Sequence, residues 1–216
     1  GDFGTITVGK FETYTEGKIS AMASVDSSEA LGIEPGKGGD RPSAGGAIQY
    51  VSPSMNGLTL ALTCQSLEAN TTASNKGDDC DTTDVAVAYT NGALTVKAGN
   101  TEYLNSSAGA ENDVTAIAVS YKMGDLYLVA VDQDFTDDGV SKDAYMVGAK
   151  YTMGNNTFGI GMMNTDTSAT AEEDQMIIDF THKLSKNVAV YVTHHQDDNG
   201  TSADVDSTAV GMKMKF

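Results

Sequence analysis

The residues best suited to chemistry in this chain are its 3 histidines and the acids that follow two of them. His194 and His195, with Asp197 and Asp198, have the residue types of a metal site. Neighbouring residues of a strand point to opposite faces, so the two imidazoles cannot easily bind one ion. We interpret this cluster as the solvated end of a strand.

Motifs of catalysis are missing from the sequence as well. It has no Gly-x-Ser-x-Gly elbow, no His-Glu-x-x-His pair and no phosphate-binding loop. The stretch 132–139 resembles a calcium-binding EF-hand loop, in which Gly139 would take the sixth position. Counted from that glycine, Thr136 stands at the third position and Tyr145, not Glu, at the twelfth, so the loop lacks the required ligands. The sequence predicts no enzyme and no cofactor, and weak divalent cation binding by acidic loops stays open.

Charge and length exclude several classes of protein. The chain has 216 residues and a formal net charge of -17, from 30 acids and 13 bases. Nucleic-acid binding requires a basic surface, so we predict no nucleic-acid partner. The chain has no run of 18 apolar residues that could form a transmembrane helix. It opens Gly1-Asp2-Phe3-Gly4 without a signal peptide, and we expect a mature product or a chain that has been cut.

The elements that position these residues are strands, because apolar residues alternate with small or polar ones along most of the chain. Val188, Val190 and Val192, for example, are separated by Ala189 and Tyr191. The pattern predicts twelve strands of about the length that a tilted membrane strand needs. They lie near 3–11, 45–52, 57–66, 83–90, 93–102, 113–123, 126–134, 143–153, 156–164, 175–184, 187–196 and 206–216.

The predicted connections alternate between short and long. Short turns, rich in the Gly and Asn that tight hairpins require, lie at 55–57, 91–92, 124–125, 154–156 and 185–187. Long polar loops, which carry most of the acids, lie at 67–82, 103–112, 135–142, 165–174 and 197–205. Short turns at one end and long loops at the other are typical of a transmembrane barrel.

The two faces of the predicted strands differ in composition. One carries large apolar residues with almost no charge, as contact with lipid requires. The other carries Gly, Ala, Thr and Ser with most of the strand lysines, as the lining of a lumen would. Tyrosines near strand ends fit an interfacial aromatic girdle: Tyr50, Tyr89, Tyr103, Tyr121, Tyr127, Tyr145 and Tyr151. The alternative from the pattern alone is a soluble barrel or sandwich.

Four stretches of the chain resemble the general porins of Gram-negative bacteria. Residues 1–10, GDFGTITVGK, resemble the strand before the porin constriction loop. Residues 48–58, IQYVSPSMNGL, resemble the next strand and turn. Residues 147–151, VGAKY, and the ending VGMKMKF at 210–216 are similar as well. Each motif is weak alone, but together they span the chain in order.

The resemblance implies an all-β, antiparallel up-and-down barrel of sixteen strands, assembled as a homotrimer, whose third long loop folds into the pore. The twelve predicted strands fit the last twelve of such a barrel. Residues 1–216 are therefore expected to form one porin domain that lacks four N-terminal strands, with 12–44 as the constriction loop and a short helix within 19–31. The alternative is a closed barrel of twelve strands, since an even number can also close.

The resemblance also assigns the charged residues to a pore. Acids of the constriction loop face a cationic wall, and opposed charges across a narrow pore order water and dipolar solutes. The acids are Glu16, Asp26, Glu29, Glu34 and Asp40. The wall comprises Lys97, Lys122, Lys150, Lys183, Lys213 and Lys215. Lys10 and Arg41 either join this wall or flank the loop. The alternative for these bases is ordinary solvated surface.

Cys64 and Cys80 flank one external loop, at the ends of adjacent predicted strands. That position brings them within reach of a disulfide. Passage through the oxidising periplasm favours the bridge, and two free buried thiols are the alternative. In this family a C-terminal Phe that closes an alternating strand is read by the outer-membrane assembly machinery, and Phe216 takes that position.

The resemblance implies a multi-pass protein of the cell outer membrane that lets small hydrophilic solutes and ions diffuse through it. Acids at the constriction, where every ion must pass, predict a mild selectivity for cations. The expected partners are membrane lipid, lipopolysaccharide, the assembly machinery and two further copies of the chain. The alternatives are a structural or adhesive barrel with a plugged lumen, and a soluble all-β binding module.

Overall fold

The computed structural model describes residues 1–23, 46–66, 80, 82–103, 112–137, 140–168, 171–198 and 204–215. These residues form one antiparallel sheet of twelve strands in chain order. The strands are β1 (Thr5–Gly9), β2 (Gly46–Val51), β3 (Leu58–Ser66), β4 (Thr82–Asn91), β5 (Leu94–Tyr103), β6 (Asn112–Met123), β7 (Leu126–Asp137), β8 (Val140–Met153), β9 (Asn156–Ser168), β10 (Ala171–Lys183), β11 (Val188–Asp198) and β12 (Val205–Met214). The predicted all-β up-and-down architecture is confirmed.

The tight turns contain residues that adopt a left-handed backbone. Positive φ values occur at the predicted turn residues Asn56, Gly57, Gly92, Gly124 and Gly154. At Gly57 the requirement is also steric, because a Cβ atom there would meet the carbonyl oxygen of Thr90. These turns set the register of the hairpins that they close.

Two hairpins extend further than the sequence predicted. β7 ends at Asp137 and β8 begins at Val140, so most of the predicted loop 135–142 is strand. β9 runs to Ser168 and β10 begins at Ala171, which corrects the predicted loop 165–174 in the same way. The apolar alternation stops before the strands do, because an antiparallel pair continues with polar residues where its outward face meets water.

The outward face of the sheet is apolar along the middle of the strands. Val85 is 54% exposed and Val147 is 49% exposed on this face. The residues next to them in sequence, Ala86 and Met146, are buried on the opposite face, at 2% and 1% exposure. A row of exposed large apolar residues is what lipid contact requires.

Part of the predicted aromatic girdle lies on this outward face. Tyr89, Tyr121 and Tyr151 are exposed there, near the short-turn ends of their strands. Tyr103 and Tyr127, which were predicted to join them, lie on the opposite face. The cause is strand alternation, because each stands two residues from a buried position of that face.

β1 and β12 are the two edges of the sheet, and no ladder joins them over the described residues. Helical structure is confined to short turns within 15–23 in the described ranges. No helix of the described parts of the chain is long and apolar enough to cross a membrane.

The lipid assignment is tested by Leu60→Lys, with Thr59→Lys on the opposite face of the same strand as the matched control. Leu60 is exposed on the outward face, and Thr59 is partly exposed on the other. We expect Leu60→Lys to lower the free energy of unfolding from vesicles by up to about 2–4 kcal/mol, because a charge on the lipid face is costly and the cost rises towards the bilayer midplane. Thr59→Lys should lower it much less. Equal losses in urea titrations of the two variants would contradict the assignment.

Candidate functional site

Residues 11–23, called the inner segment from here on, cross one face of the sheet, which we call the inner face. The segment contains a π-helical turn, Thr15–Ile19, followed by a 3-10 turn, Ser20–Ala23. These two turns contact the five strands from β4 to β8. Helical structure therefore begins before the predicted helix at 19–31, and residues 24–44 of the predicted constriction loop lie outside the described ranges.

The carboxylate of Asp84, on β4, holds the start of the inner segment. Asp84 is 1% exposed. It accepts hydrogen bonds from the backbone amides of Tyr14 and Thr15, both at 3.1 Å. The hydroxyl groups of Thr15, Thr63 and Thr101 also donate to it. Five donors compensate the loss of water around this buried charge.

Small residues of the wall make room for the inner segment. Ile19 is fully buried in an apolar cluster that includes Ala86 and Ala118. A Cβ atom at Gly99 would meet the hydroxyl of Thr15 and would lie 2.9 Å from Cδ1 of Ile19. The close approach of the segment to β5 therefore depends on the missing side chain at Gly99.

Further contacts fasten the inner segment along its length. Three wall side chains take part in hydrogen bonds with it: Gln65 Nε2 donates to the carbonyl oxygen of Phe11 at 2.9 Å, Lys97 Nζ donates to that of Lys18 at 2.8 Å, and the hydroxyl of Ser20 donates to Oε1 of Gln133 at 2.8 Å. Burial, and then the nearby carboxylate of Asp84, raise the pKa of Tyr14. The segment is thus bound to the wall at several points.

The strand lysines that the sequence assigned to a pore wall lie on the inner face. Residues paired directly across an antiparallel ladder share a face. Lys97 pairs with Ala118, which is buried under the inner segment. Lys122 and Lys150 both pair with Tyr127, from its two sides.

Lysines near the other edge of the sheet follow the same rule. Lys183 and Lys213 both pair with Ala189. Lys215 follows Lys213 by two residues, directly after β12, so strand alternation puts it on the same face. All three are exposed and lie near the short-turn ends of their strands.

Other predicted site residues are placed in part. Glu16 lies in the inner segment, where the hydroxyl of Thr13 donates to its carboxylate at 3.2 Å. Lys10 is exposed directly after β1. Six residues lie outside the described ranges, and their roles stay predictions: Asp26, Glu29, Glu34, Asp40, Arg41 and Phe216.

Charge is divided between the two faces of the described strands. Six lysines face inward: Lys97, Lys122, Lys142, Lys150, Lys183 and Lys213. Four acids share that face: Asp84, Glu173, Asp179 and Asp197. Ten acids face outward, towards the long-loop ends: Glu102, Asp113, Asp132, Asp134, Asp143, Asp166, Glu172, Asp174, Asp198 and Asp206. No lysine or arginine of the described strands faces outward.

Sequence reasoning found the lysine face but missed the acidic one. It assigned Asp166, Glu172, Asp174 and Asp198 to loops, where a side chain has no defined face. It placed the other six at the ends of predicted strands but gave them no face. One signal in the sequence could have placed them on a face. Residues continue to alternate between the two faces beyond the last apolar residue of a strand. In β7, for example, Asp132 and Asp134 alternate with the buried Gln133 and Phe135.

Cys64 and Cys80 are joined by a disulfide in the structure, and their Cα atoms are 5.3 Å apart. Cys64 lies on β3, and Cys80 stands shortly before β4. Because β3 and β4 are paired, the bridge closes the loop between two neighbouring strands.

The histidines do not form a metal site in the described residues. His194 pairs with the exposed Ile178, and His195 pairs with the buried Ile177, so the two imidazoles start from opposite faces. The described parts of the chain hold no group of three or more His, Cys, Asp and Glu side chains arranged to bind a metal ion.

Comparison with known proteins gives a consistent result. A family model described as Gram-negative porin matches residues 1–202. An anion-selective porin from Comamonas acidovorans has a similar structure, with a TM-score of 0.79 and 22% sequence identity over 100% of this chain and 75% of that one. No curated protein sequence is significantly similar to this chain.

Two further solved structures share the fold at lower identity. A loop-deletion mutant of OmpT, an outer membrane protein of Vibrio cholerae, gives a TM-score of 0.73 at 16% identity and covers 99% of this chain and 76% of that one. A mutant of Rh. blastica porin gives 0.72 at 15% identity and covers 98% and 73%.

The anchoring role of Asp84 is tested by Asp84→Ala, with the outward Asp132→Ala as the matched control. Loss of the carboxylate leaves the amides of Tyr14 and Thr15 without their acceptor, at a cost of about 1–3 kcal/mol for each buried group. We expect trypsin to cleave the folded protein after Lys18 faster in Asp84→Ala than in the control. Equal cleavage rates would show that other contacts hold the segment.

The disulfide is tested by mass spectrometry of the unreduced protein. We expect the peptides that contain Cys64 and Cys80 to be recovered as one linked species, because their strands are neighbours and the periplasm is oxidising. Alkylation of both thiols in freshly isolated, unreduced protein would rule the bridge out.

Proposed function

Because the chain belongs to the Gram-negative porin family, we propose that it is a general diffusion channel for small hydrophilic solutes and ions. Its family and its fold make it an outer-membrane β-barrel protein. The observation that carries the proposal is the inner segment, which Asp84 and Ile19 fix flat against the wall. A segment bound along one side narrows a lumen, and this position of residues 11–23 favours a channel over a plugged barrel.

We propose that the constriction gives the channel a mild preference for cations. The acids of the connection 12–44 outnumber its bases. Charges in a narrow passage are screened less than charges at a wide mouth, where screening acts beyond about 8 Å at physiological salt. Glu16 supports the proposal, since it lies in the described part of this connection, on the inner face.

A second candidate is a preference for anions, and a specific observation favours it. The inner face of the described strands carries more lysines than acids, whereas most described strand acids point outward. One structural neighbour is described as anion-selective. In this alternative the lysine wall, rather than the constriction loop, controls which ions pass.

The outward acids also bear on the proposed lipid partners. Lipopolysaccharide is anionic, and the outward face of the described strands offers acids instead of lysines or arginines. We therefore propose that contact with lipopolysaccharide goes through divalent cations, the weak binding that the sequence left open. We further propose that the chain assembles as a homotrimer and that Phe216 serves recognition by the assembly machinery.

The two sheet edges indicate how the barrel is completed. An unpaired strand edge in hydrocarbon leaves backbone groups without hydrogen bonds, each at a cost of several kcal/mol. We propose that further strands, four in the sixteen-stranded interpretation, join β12 to β1. This chain covers 75% of the Comamonas acidovorans porin, which is the fraction that twelve of sixteen strands would give.

The function is tested by conductance and reversal potential in planar bilayers under a salt gradient. We expect stepwise conductance with mild cation preference, since acids at the constriction attract cations. Asp26→Asn, Glu29→Gln and Glu34→Gln together should reduce that preference. The matched control, Asp132→Asn with Asp134→Asn and Asp143→Asn, removes three outward acids and should change it less.

Two outcomes of these recordings would contradict parts of the proposal. Absence of conductance from correctly folded protein would favour the plugged structural barrel. Anion preference in the unmodified protein would assign control of selectivity to the lysine wall and leave the channel function intact.

A further inference from the structure

We propose that the short-turn mouth of the pore is an anion-collecting vestibule formed by Lys122, Lys150, Lys183, Lys213 and Lys215. Short turns mark the periplasmic side of outer-membrane barrels. The inference rests on the proposed channel function. It adds that the two ends of the pore differ in charge. Its ligands are small multivalent anions, such as phosphates and polycarboxylates, held weakly in transit.

The spacing of these lysines suits a shared anion. Neighbouring strands lie about 4.8 Å apart, so two lysines that flank one strand have backbones about 10 Å apart. Lys183 and Lys213 stand in this relation across Ala189. A lysine side chain is long and flexible, so two ammonium groups at this spacing can converge on one multivalent anion.

Tyr191 fixes the position of one of these ammonium groups. It pairs directly with Gly211, where a Cβ atom would collide with the phenol ring. The ring therefore lies over the glycine, and Nζ of Lys213 lies 6.0 Å from the ring centroid. This cation–π contact keeps the Lys213 ammonium on the inner wall.

Among the described residues, lysines outnumber acids at this mouth, where Asp125 lies in the turn between β6 and β7. Asp84 is buried under the inner segment, whereas Glu173 and Asp197 stand near the long-loop ends of β10 and β11. Asp179 lies in the same ladder row as Lys150. It is 2% exposed and accepts a hydrogen bond from Thr193 at 2.7 Å.

The arrangement makes the two mouths of the channel unequal. The short-turn mouth concentrates anions, because charges of one sign that line a confined entrance raise the local concentration of counter-ions. The long-loop end carries acids on both faces. The structure therefore predicts that a multivalent anion blocks ion flow more strongly from the short-turn side.

The test uses single channels in a planar bilayer at about 0.1 M salt, where the Debye length is about 10 Å. Pyrophosphate is the probe, added to one chamber at a time. Streptavidin bound to a biotin label in the 197–205 loop assigns the orientation. We expect half-maximal block at a several-fold lower concentration from the short-turn side. The difference should vanish at about 1 M salt, where screening acts within about 3 Å.

Variants assign the effect to the lysines. Lys183→Gln with Lys213→Gln should abolish most of the asymmetry. The matched control, Lys10→Gln with Lys142→Gln, removes the same charge from the long-loop ends of β1 and β8, and should preserve it. Heat-modifiable mobility on SDS gels confirms that both variants are folded.

Each outcome bears on one claim. Equal block from both sides of a conducting channel, or unchanged asymmetry in Lys183→Gln with Lys213→Gln, would overturn the vestibule. Folded protein that does not conduct would overturn the channel function itself.

Discussion

Every peptide group of a strand in lipid must find its hydrogen-bond partner on a neighbouring strand, because hydrocarbon offers none. The described chain meets this constraint with the simplest possible order, in which each strand pairs with the strands before and after it. The ladders satisfy the hydrogen-bonding groups of the backbone, so the side chains alone determine what each face contacts. The outward face then carries Val, Leu, Ile and Tyr, and the inner face is free to carry polar and charged groups.

The inner face has a second task, because it also holds the inner segment. Its small residues look like the lining of an open lumen, but several are covered: Ala86, Ala116 and Ala118 are buried against Ile19. Gly99 and Asp84 complete this docking surface, one by leaving space for Thr15 and the other by accepting its hydrogen bonds. The wall and the segment are therefore specified together.

Sequence reasoning succeeded where the signal was local and periodic. Strand period and turn chemistry give the twelve strands, and alternation alone places lysines such as Lys150 on the inner face. It failed where the partner is distant. In the sequence, Asp84 is an ordinary strand acid between Thr83 and Val85. Its partners Tyr14 and Thr15 are about seventy residues away, so no local pattern identifies it as an anchor. Nothing in the local sequence of Gly99 tells that another segment will pack there.

Because charge is divided between the two faces, the net charge of the chain does not predict the ion preference of the pore. A total of -17 suggests attraction of cations. The outward acids, however, stand on the far side of the wall from the lumen, and screening confines their field to about 8 Å at physiological salt. On the inner face Asp84 is enclosed by hydrogen-bond donors and Asp179 is almost fully buried, while Lys122 and Lys183 are exposed. Over the described strands, the exposed charge of the inner face is therefore mainly positive, opposite in sign to that of the whole chain. Any cation preference must arise at the constriction, against the wall.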